Sequence, residues 1–545
     1  MEFVIVAVMG LLVVAAAAAL APKLRIPAPL ILLASGVLVS ILPFTPEVEI
    51  DPEWIIVGIL PPLLYSASVS MPVMNFRREF TAISGLSVTL VVVSSVILGV
   101  FFAWLIPDLG IWWGIALGAI VSPTDAVAVS IVKRVGVSSR VVSVLNGESL
   151  LNDATALVLL RTAIVATAAS ISLWSVLWTF AYAVAVAGAI GVAVGYLNLW
   201  VRSRVTDSTV NTAISFTVPF LASVPAELLG ASGLVAAVVA GLITGHGAAR
   251  WLTARHRLSD SQNWQTVELV LEGAIFLLMG LELSGIAARV HGENDGVGTA
   301  IGIALAGLLL TILLRAAFIA PLLMGLAALS QRRSKRRSRL KGFSDKLDAP
   351  YSETERLGRR RSTPSPERIE FAKTITRRAL FDIDYYLAAP LGWREGGVLV
   401  WAGMRGAITL AAAQTLPADA PHRSLLVFIA FTVAATSLVV QGGSLSAFVR
   451  WIKPATADDD ARVDERTRLL ALLENAAQDA SAAQEPAVAA SLSPKARALA
   501  VVTAQRAALL DARNVGAFSS ESIAHALMNL DADQISIDLK GEPYA

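Results

Sequence analysis

Apolar runs near 20 residues, the helix length that crosses ~30 Å of hydrocarbon, recur from the N-terminus of this chain to residue 450. They fall at 3–21, 28–45, 54–71, 81–106, 111–133, 147–168, 173–200, 208–229, 232–247, 264–288, 297–329, 396–416 and 423–450, and predict about thirteen membrane-spanning helices. The polar residues between them alternate. After odd-numbered runs come Lys23/Arg25, Arg77/Arg78, Lys133/Arg134/Arg140, Arg202/Arg204, Arg250/Arg255/Arg257 and a basic stretch from Arg332. After even-numbered runs come Glu47/Glu49/Asp51/Glu53, Asp108, almost nothing near 170, Glu293/Asp295 with Arg289, and Asp419 with Arg423. Positive residues mark the cytoplasmic side, so the pattern predicts a multi-pass protein of the cell membrane with its N-terminus outside and its C-terminus in the cytoplasm.

Two segments break the pattern. Between 330 and 395 lie Gln331-Arg332-Arg333-Ser334-Lys335-Arg336-Arg337 and Arg359-Arg360-Arg361-Ser362-Thr363-Pro364, read as a solvated, partly disordered cytoplasmic loop whose charge fixes topology. Binding to anionic lipid and phospho-regulation are the sharper readings. Nucleic-acid binding is disfavoured by the lack of interleaved aromatics. From 453 to 545 the composition is that of a soluble tail, with Asp458-Asp459-Asp460 followed by Ala/Leu/Arg/Glu-rich sequence that predicts short amphipathic helices. The domains are thus 1–452, transmembrane, with 330–395 inserted between runs eleven and twelve, and 453–545, a cytoplasmic tail.

Composition confirms the class: 55% of the 545 residues are hydrophobic and 16% charged, against about 25% charged in soluble domains. The absence of cysteine removes disulfides, iron–sulfur clusters and thiol catalysis together. Met1–Leu20 resembles a signal peptide in its alanine run, but Glu2 precedes the run and Lys23 and Arg25 follow it, which reads as a retained first helix.

Ionisable groups at membrane depth mark ion or proton pathways. Gly147-Glu148-Ser149-Leu150-Leu151-Asn152-Asp153-Ala154 places two carboxylates there. On a helix Ser149 and Asp153 share one face, and Glu148 and Asn152 the stripe about 100° round. In the fifth run, Ser122-Pro123-Thr124-Asp125 sets a helix-breaking proline beside an acid. A matching interruption, Gly403-Met404-Arg405-Gly406, lies in the twelfth. Paired breaks in corresponding halves point to an inverted-repeat transporter with a midplane site, runs 1–6 and 8–13 forming two six-helix repeats. Arg405 at that depth must be neutralised or face water, and Glu148 is its most economical partner. Glu227, Glu268, Glu272 and Glu282 are further intramembrane acids and candidates to line a cavity or pathway, Glu272 the strongest; Arg161 and Arg315 pair internally or snorkel. Ser149 has no histidine nearby and no H-E-x-x-H pattern occurs, which argues against a membrane-embedded hydrolase.

Leu60-Pro61-Pro62-Leu63-Leu64-Tyr65, Ser122 to Val127, Gly147 to Ala154, Ala226-Glu227-Leu228-Leu229-Gly230-Ala231-Ser232-Gly233 and Gly403 to Ala407 resemble, in order, the signatures of the monovalent cation/proton antiporters of the sodium/proton exchanger family. The resemblance spans about 1–452. It implies an all-α antiporter fold with broken crossing helices, commonly homodimeric, and no cofactor beyond the transported Na⁺ and H⁺. It further implies that Asp153 carries cation and proton, that Ser149, Asp125 and the Thr124 main chain complete a Na⁺ site, that Asn152 and Thr124 hold the crossing, and that Glu148 pairs with Arg405. Asn152-Asp153, in place of the two aspartates of the electrogenic branch, implies electroneutral one-for-one exchange. Some relatives carry an acid just after Leu-Pro-Pro, where this chain has Tyr65-Ser66-Ala67-Ser68, so water or Ser66 stands in for it. Ala126 replaces a proline common in relatives. Li⁺ or K⁺ in place of Na⁺, and an uncoupled cation channel, are the alternatives.

Overall fold

The structure is a computed structural model that describes residues 2–24, 26–42, 54–168, 173–292, 296–348, 366–455, 459–482 and 493–540. Arg25, the acidic run Glu47 to Glu53, the stretch near 170, Glu293, Asp295, Arg359 to Pro364 and Asp458 lie outside the described residues.

The fold is all-helical. In order come α1 (Glu2–Leu24), α2 (Ala28–Ser40), α3 (Trp54–Ser70), α4 (Val73–Leu105) and two half-helices, α5 (Ile111–Val121) and α6 (Val127–Val135). Then follow α7 (Ser139–Ala168), α8 (Leu173–Arg202), α9 (Ser208–Leu228), α10 (Gly233–Trp251), α11 (Ala254–Gly292), α12 (Val297–Asp348) and α13 (Pro366–Ala388). A second pair of half-helices, α14 (Trp393–Trp401) and α15 (Ala407–Gln414), precedes α16 (Arg423–Ile452) and the tail helices α17 (Asp459–Ala482), α18 (Pro494–Val515) and α19 (Ser520–Leu539). Among the described residues each apolar run overlaps one helix or one pair of half-helices. Among the described residues eight helices are long and apolar enough to cross a bilayer unaided.

Local chemistry sets the boundaries. The Asp207 carboxylate caps α9, accepting from the Thr209 and Val210 amides at 2.8 and 2.9 Å. Gly136 ends α6 at φ +80°, a conformation that favours glycine. Pro123 lies in the gap between α5 and α6, where no helical hydrogen bond can use its nitrogen.

By contact the chain divides into two units: Met1–Leu252 with Ser259–Pro321 and Arg394–Pro454, and Thr253–Leu258 with Leu322–Trp393 and Ala455–Ala545. In the first, small residues let helices approach closely. Ala187 of α8, Ala222 of α9, and Ala236 and Ala240 of α10 pack around Tyr65 and Trp264, and Trp264 Nε1 donates to Ser215 at 2.7 Å. Buried pairs tie helix ends: Arg140 to Glu79 at 2.7 Å and Arg202 to Asp260 at 3.0 Å. In the second unit, Leu469, Val502, Leu509, Ala526 and Leu530 form a core, and Asp531 accepts from Arg257 at 2.9 Å and Arg506 at 2.8 Å.

The basic stretch differs from its sequence reading. Gln331 to Asp348 continues α12 as helix rather than opening into a loop. Arginine, lysine and leucine are good helix formers, and extending an existing helix avoids the nucleation penalty. Arg337 pairs with Asp384 of α13 at 2.6 Å, and Arg333 lies over the Tyr386 ring at 4.0 Å. The tail helices are likewise longer than short amphipathic segments.

Candidate functional site

The two helix breaks cross. The Asp125 amide donates to the Met404 carbonyl at 2.8 Å, and Arg405 Nε donates to the Val121 carbonyl at 3.0 Å. Asp125 caps a half-helix on each side: Oδ1 accepts from the Val127 amide at 2.9 Å and Oδ2 from the Ala407 amide at 3.1 Å. The carboxylate thus satisfies orphan N–H groups and meets the positive ends of α6 and α15. It can do so because position 406 is glycine; a Cβ there would fall on the Asp125 carboxylate. Gly406→Ala is therefore expected to lower transport at least about tenfold through this overpacking, read as dye-reported proton flux in membrane vesicles; wild-type flux would show that the crossing has slack.

α7 lies against the crossing and presents two differently equipped stripes. On one, Asn152 Nδ2 donates to the Thr124 carbonyl at 3.1 Å and to Thr124 Oγ1 at 2.7 Å, and Thr124 Oγ1 donates to Glu148 Oε1 at 3.0 Å. The broken α5–α6 chain is pinned to α7 by these bonds. On the other stripe, Ser149 and Asp153 line a cavity of about 70 Å³ with Thr124, Asp125, Glu268, Glu272 and Thr409. Ser149 spends its proton on the Asn146 carbonyl at 3.1 Å, leaving oxygen lone pairs for the cavity.

The expected Glu148–Arg405 pair is not what the structure contains. Arg315 of α12 closes on Glu148 with both terminal nitrogens, Nη2 to Oε2 at 2.8 Å, and donates Nε to the Leu399 carbonyl at 2.8 Å. Glu148 and Arg315 are 1% and 2% exposed, so this is a fully enclosed, two-pronged pair. Arg405, also buried, serves the second break: its guanidinium donates to the Val121 and Gly403 carbonyls and its amide to Ser437 Oγ at 2.9 Å. The correction has a geometric cause. A guanidinium beside a helix break finds freed carbonyls close by, whereas α12 brings Arg315 against the Glu148 stripe.

Of the remaining acids, Glu272 and Glu268 line the Asp153 cavity, and Ser66 Oγ donates to Glu268 Oε2 at 3.2 Å. Glu227 does not reach that cavity. It pairs with Arg161 at 3.0 Å on the wall of a separate cavity of about 370 Å³. Glu282 accepts from Gln414 at 2.6 Å. Sequence reasoning passed over Arg315 as Glu148's partner, and it named Glu268 among the acids that line a cavity while preferring Glu272. The available signals were a lone cation deep in the run 297–329 and an i, i+4 pair of acids, Glu268 and Glu272. Among the described residues no three His, Asp or Glu side chains converge tightly enough to hold a metal ion.

The sequence profile described as sodium/hydrogen exchanger, transmembrane, matches residues 8–347 and 369–451. The chain belongs to that family. A Mycobacterium tuberculosis protein named an uncharacterized Na⁺/H⁺ exchanger is 29% identical over 464 residues, 83% of this chain and 74% of the relative. An Escherichia coli protein of the same description is 34% identical over 273 residues, 48% of this chain and 49% of the relative. A Bacillus pumilus sodium, potassium, lithium and rubidium/H⁺ antiporter is 28% identical over 278 residues, 49% of this chain and 41% of the relative. The sodium/proton antiporter structure from Methanocaldococcus jannaschii superposes with a TM-score of 0.57 at 15% identity, covering 83% of this chain and 99% of that one. The fold is thus the antiporter fold, and the exchanger is a transporter of cations and protons rather than an enzyme.

Proposed function

We propose that the protein exchanges Na⁺ for H⁺, one for one, across the cell membrane, with N-terminus outside and C-terminus inside. Cation and proton compete for Asp153, and the protein changes access only when one of them is bound. The observation that carries this reading is the difference between three carboxylates at the crossing. Glu148 is engaged by Arg315 and Thr124, and both oxygens of Asp125 cap half-helices. Asp153 is 5% exposed, lines the cavity, and among the described residues has no hydrogen-bond or ion-pair partner. A buried carboxylate without a protein partner is stabilised by a cation or a proton. Ser149 Oγ, Asp125 and the Thr124 main chain supply further oxygens, as a small hard cation requires. One carboxylate swapping one cation for one proton moves no net charge.

Residues 1–452 form the transport part in this reading, and the 330–395 insert and the 453–545 tail are cytoplasmic. The assembly expected from the family resemblance is a homodimer. The name of the Bacillus relative, which includes potassium, lithium and rubidium, keeps K⁺/H⁺ exchange as the second reading. Dequenching of a pH dye in everted vesicles, titrated with Na⁺, Li⁺ and K⁺, ranks the cations. The expected outcome is Na⁺-driven proton flux whose half-saturating Na⁺ rises as pH falls and whose rate does not change when the membrane potential is clamped. A rate that follows the potential overturns electroneutrality, and cation current without proton flux points to a channel.

A further inference from the structure

The cavity beside Asp153 contains two carboxylates that the exchange described above does not use. Glu268 and Glu272 stand one turn apart on one face of α11, and both line it. No arginine or lysine shares the lining. Ser66, buried on α3, donates to Glu268 Oε2 at 3.2 Å, which fixes the carboxylate against α3 while leaving it on the cavity wall. A neighbouring cavity of about 140 Å³ is lined by Glu272 with Ser130 and Arg134, so Glu272 faces both spaces. Lys133, in the last turn of α6, is within electrostatic reach of Glu268. By the charge pattern of the loops, Lys133 and Arg134 mark the cytoplasmic side. Acidic oxygens therefore extend from that side toward Asp153. The independent sign that this space takes a cation is Asp153 itself, buried and unpartnered on its wall.

We propose that Glu268, positioned by Ser66, is a staging carboxylate for the monovalent cation between the cytoplasmic mouth and Asp153. The proposal rests on the reading of Asp153 given above. A cation leaving water loses hydration oxygens, and Glu268 with the Ser66 hydroxyl replaces them before the ion reaches Asp153. An acid-lined wall without basic residues also raises the local cation concentration. Loss of Glu268 then weakens cation capture while the exchange step at Asp153 survives.

The test is vesicle proton flux over a Na⁺ series at fixed pH, with purified protein yield and thermal stability measured in parallel. Glu268→Gln is expected to raise half-saturating Na⁺ about tenfold, with the maximal rate within about twofold, as for loss of one charged oxygen contact. Ser66→Ala is expected to raise it about threefold, the size of one lost neutral hydrogen bond. Ser66→Glu/Glu268→Ser moves the carboxylate to the other end of the same hydrogen bond. It is expected to return half-saturation to within about threefold of wild type, a gap of less than one strong contact. A purely structural Glu268 gives lower yield and maximal rate with no rescue by the exchange of positions. Wild-type half-saturation in Glu268→Gln, or a double variant no better than that single, overturns the proposal. Should Glu268→Gln fail to fold, Glu268→Asp, which shortens the reach by one methylene, must still shift half-saturation, and its failure to do so is equally decisive. Asp153→Asn is run alongside. If it still exchanges, the underlying reading falls; if it is inactive while Glu268→Gln is unaltered, only the staging role falls.

Discussion

Asp153→Asn is expected to reduce Na⁺-driven proton flux to the level of vesicles without the protein, while the protein folds and inserts as wild type. The amide keeps the shape of the side chain but neither titrates nor offers a charge, so under the proposed competition cation and proton lose their site at once. Stability should change little, because among the described residues Asp153 makes no hydrogen bond or ion pair whose loss would strand a partner. Replacing a buried carboxylate by a neutral amide also removes the solvation penalty of the charged form. The expected change in unfolding free energy is within about 1 kcal/mol, the range of substitutions that break no specific contact. The two measurements belong together: an inactive variant that also unfolds says nothing about ion binding. Sustained Na⁺-dependent proton flux in a well-folded Asp153→Asn protein would falsify competition at this carboxylate.

Much of this arrangement is legible in one dimension. Helix length in a bilayer is set by its thickness, so the apolar runs locate the helices, and Pro123 and the Gly403–Gly406 stretch locate their breaks. The i, i+4 spacing in α7 separates Ser149 and Asp153 from Glu148 and Asn152, and the structure puts those pairs in different surroundings. What periodicity does not carry is which distant helix meets which stripe. Arg315 and Arg405 are both lone cations within apolar runs, and nothing in either run states its depth or azimuth relative to Glu148. For the same reason Ser66 can be read as a gap in the site, whereas Glu268, some two hundred residues later, places a carboxylate against it and on the wall of the Asp153 cavity. The basic stretch that ends α12 was obscured by a different effect: charge signals exposure to water, but exposure does not prevent a helix of good formers from continuing.

The pairing of Glu148 is where misreading the partner changes the prediction most. In this structure Arg315→Met leaves the Glu148 carboxylate enclosed without its two-pronged donor, and breaking one side of a buried pair costs about 3–5 kcal/mol. Thr124 still donates to Glu148, but a hydroxyl does not neutralise a charge. Adding Glu148→Gln removes the stranded charge, so the double variant should regain at least about 2 kcal/mol over Arg315→Met alone, in the range found for directly interacting residues. Arg405→Met instead frees carbonyls at the helix breaks, and Glu148→Gln does nothing for those groups. Coupling between positions 148 and 405 is therefore expected to stay under about 1 kcal/mol, below that of contacting partners. Unfolding of the detergent-solubilised protein, followed for the two double-mutant cycles side by side, separates the alternatives. The larger coupling must fall on Arg315; if it falls on Arg405, the charge that neutralises Glu148 comes from the second broken helix, and Arg315 serves the Leu399 carbonyl alone.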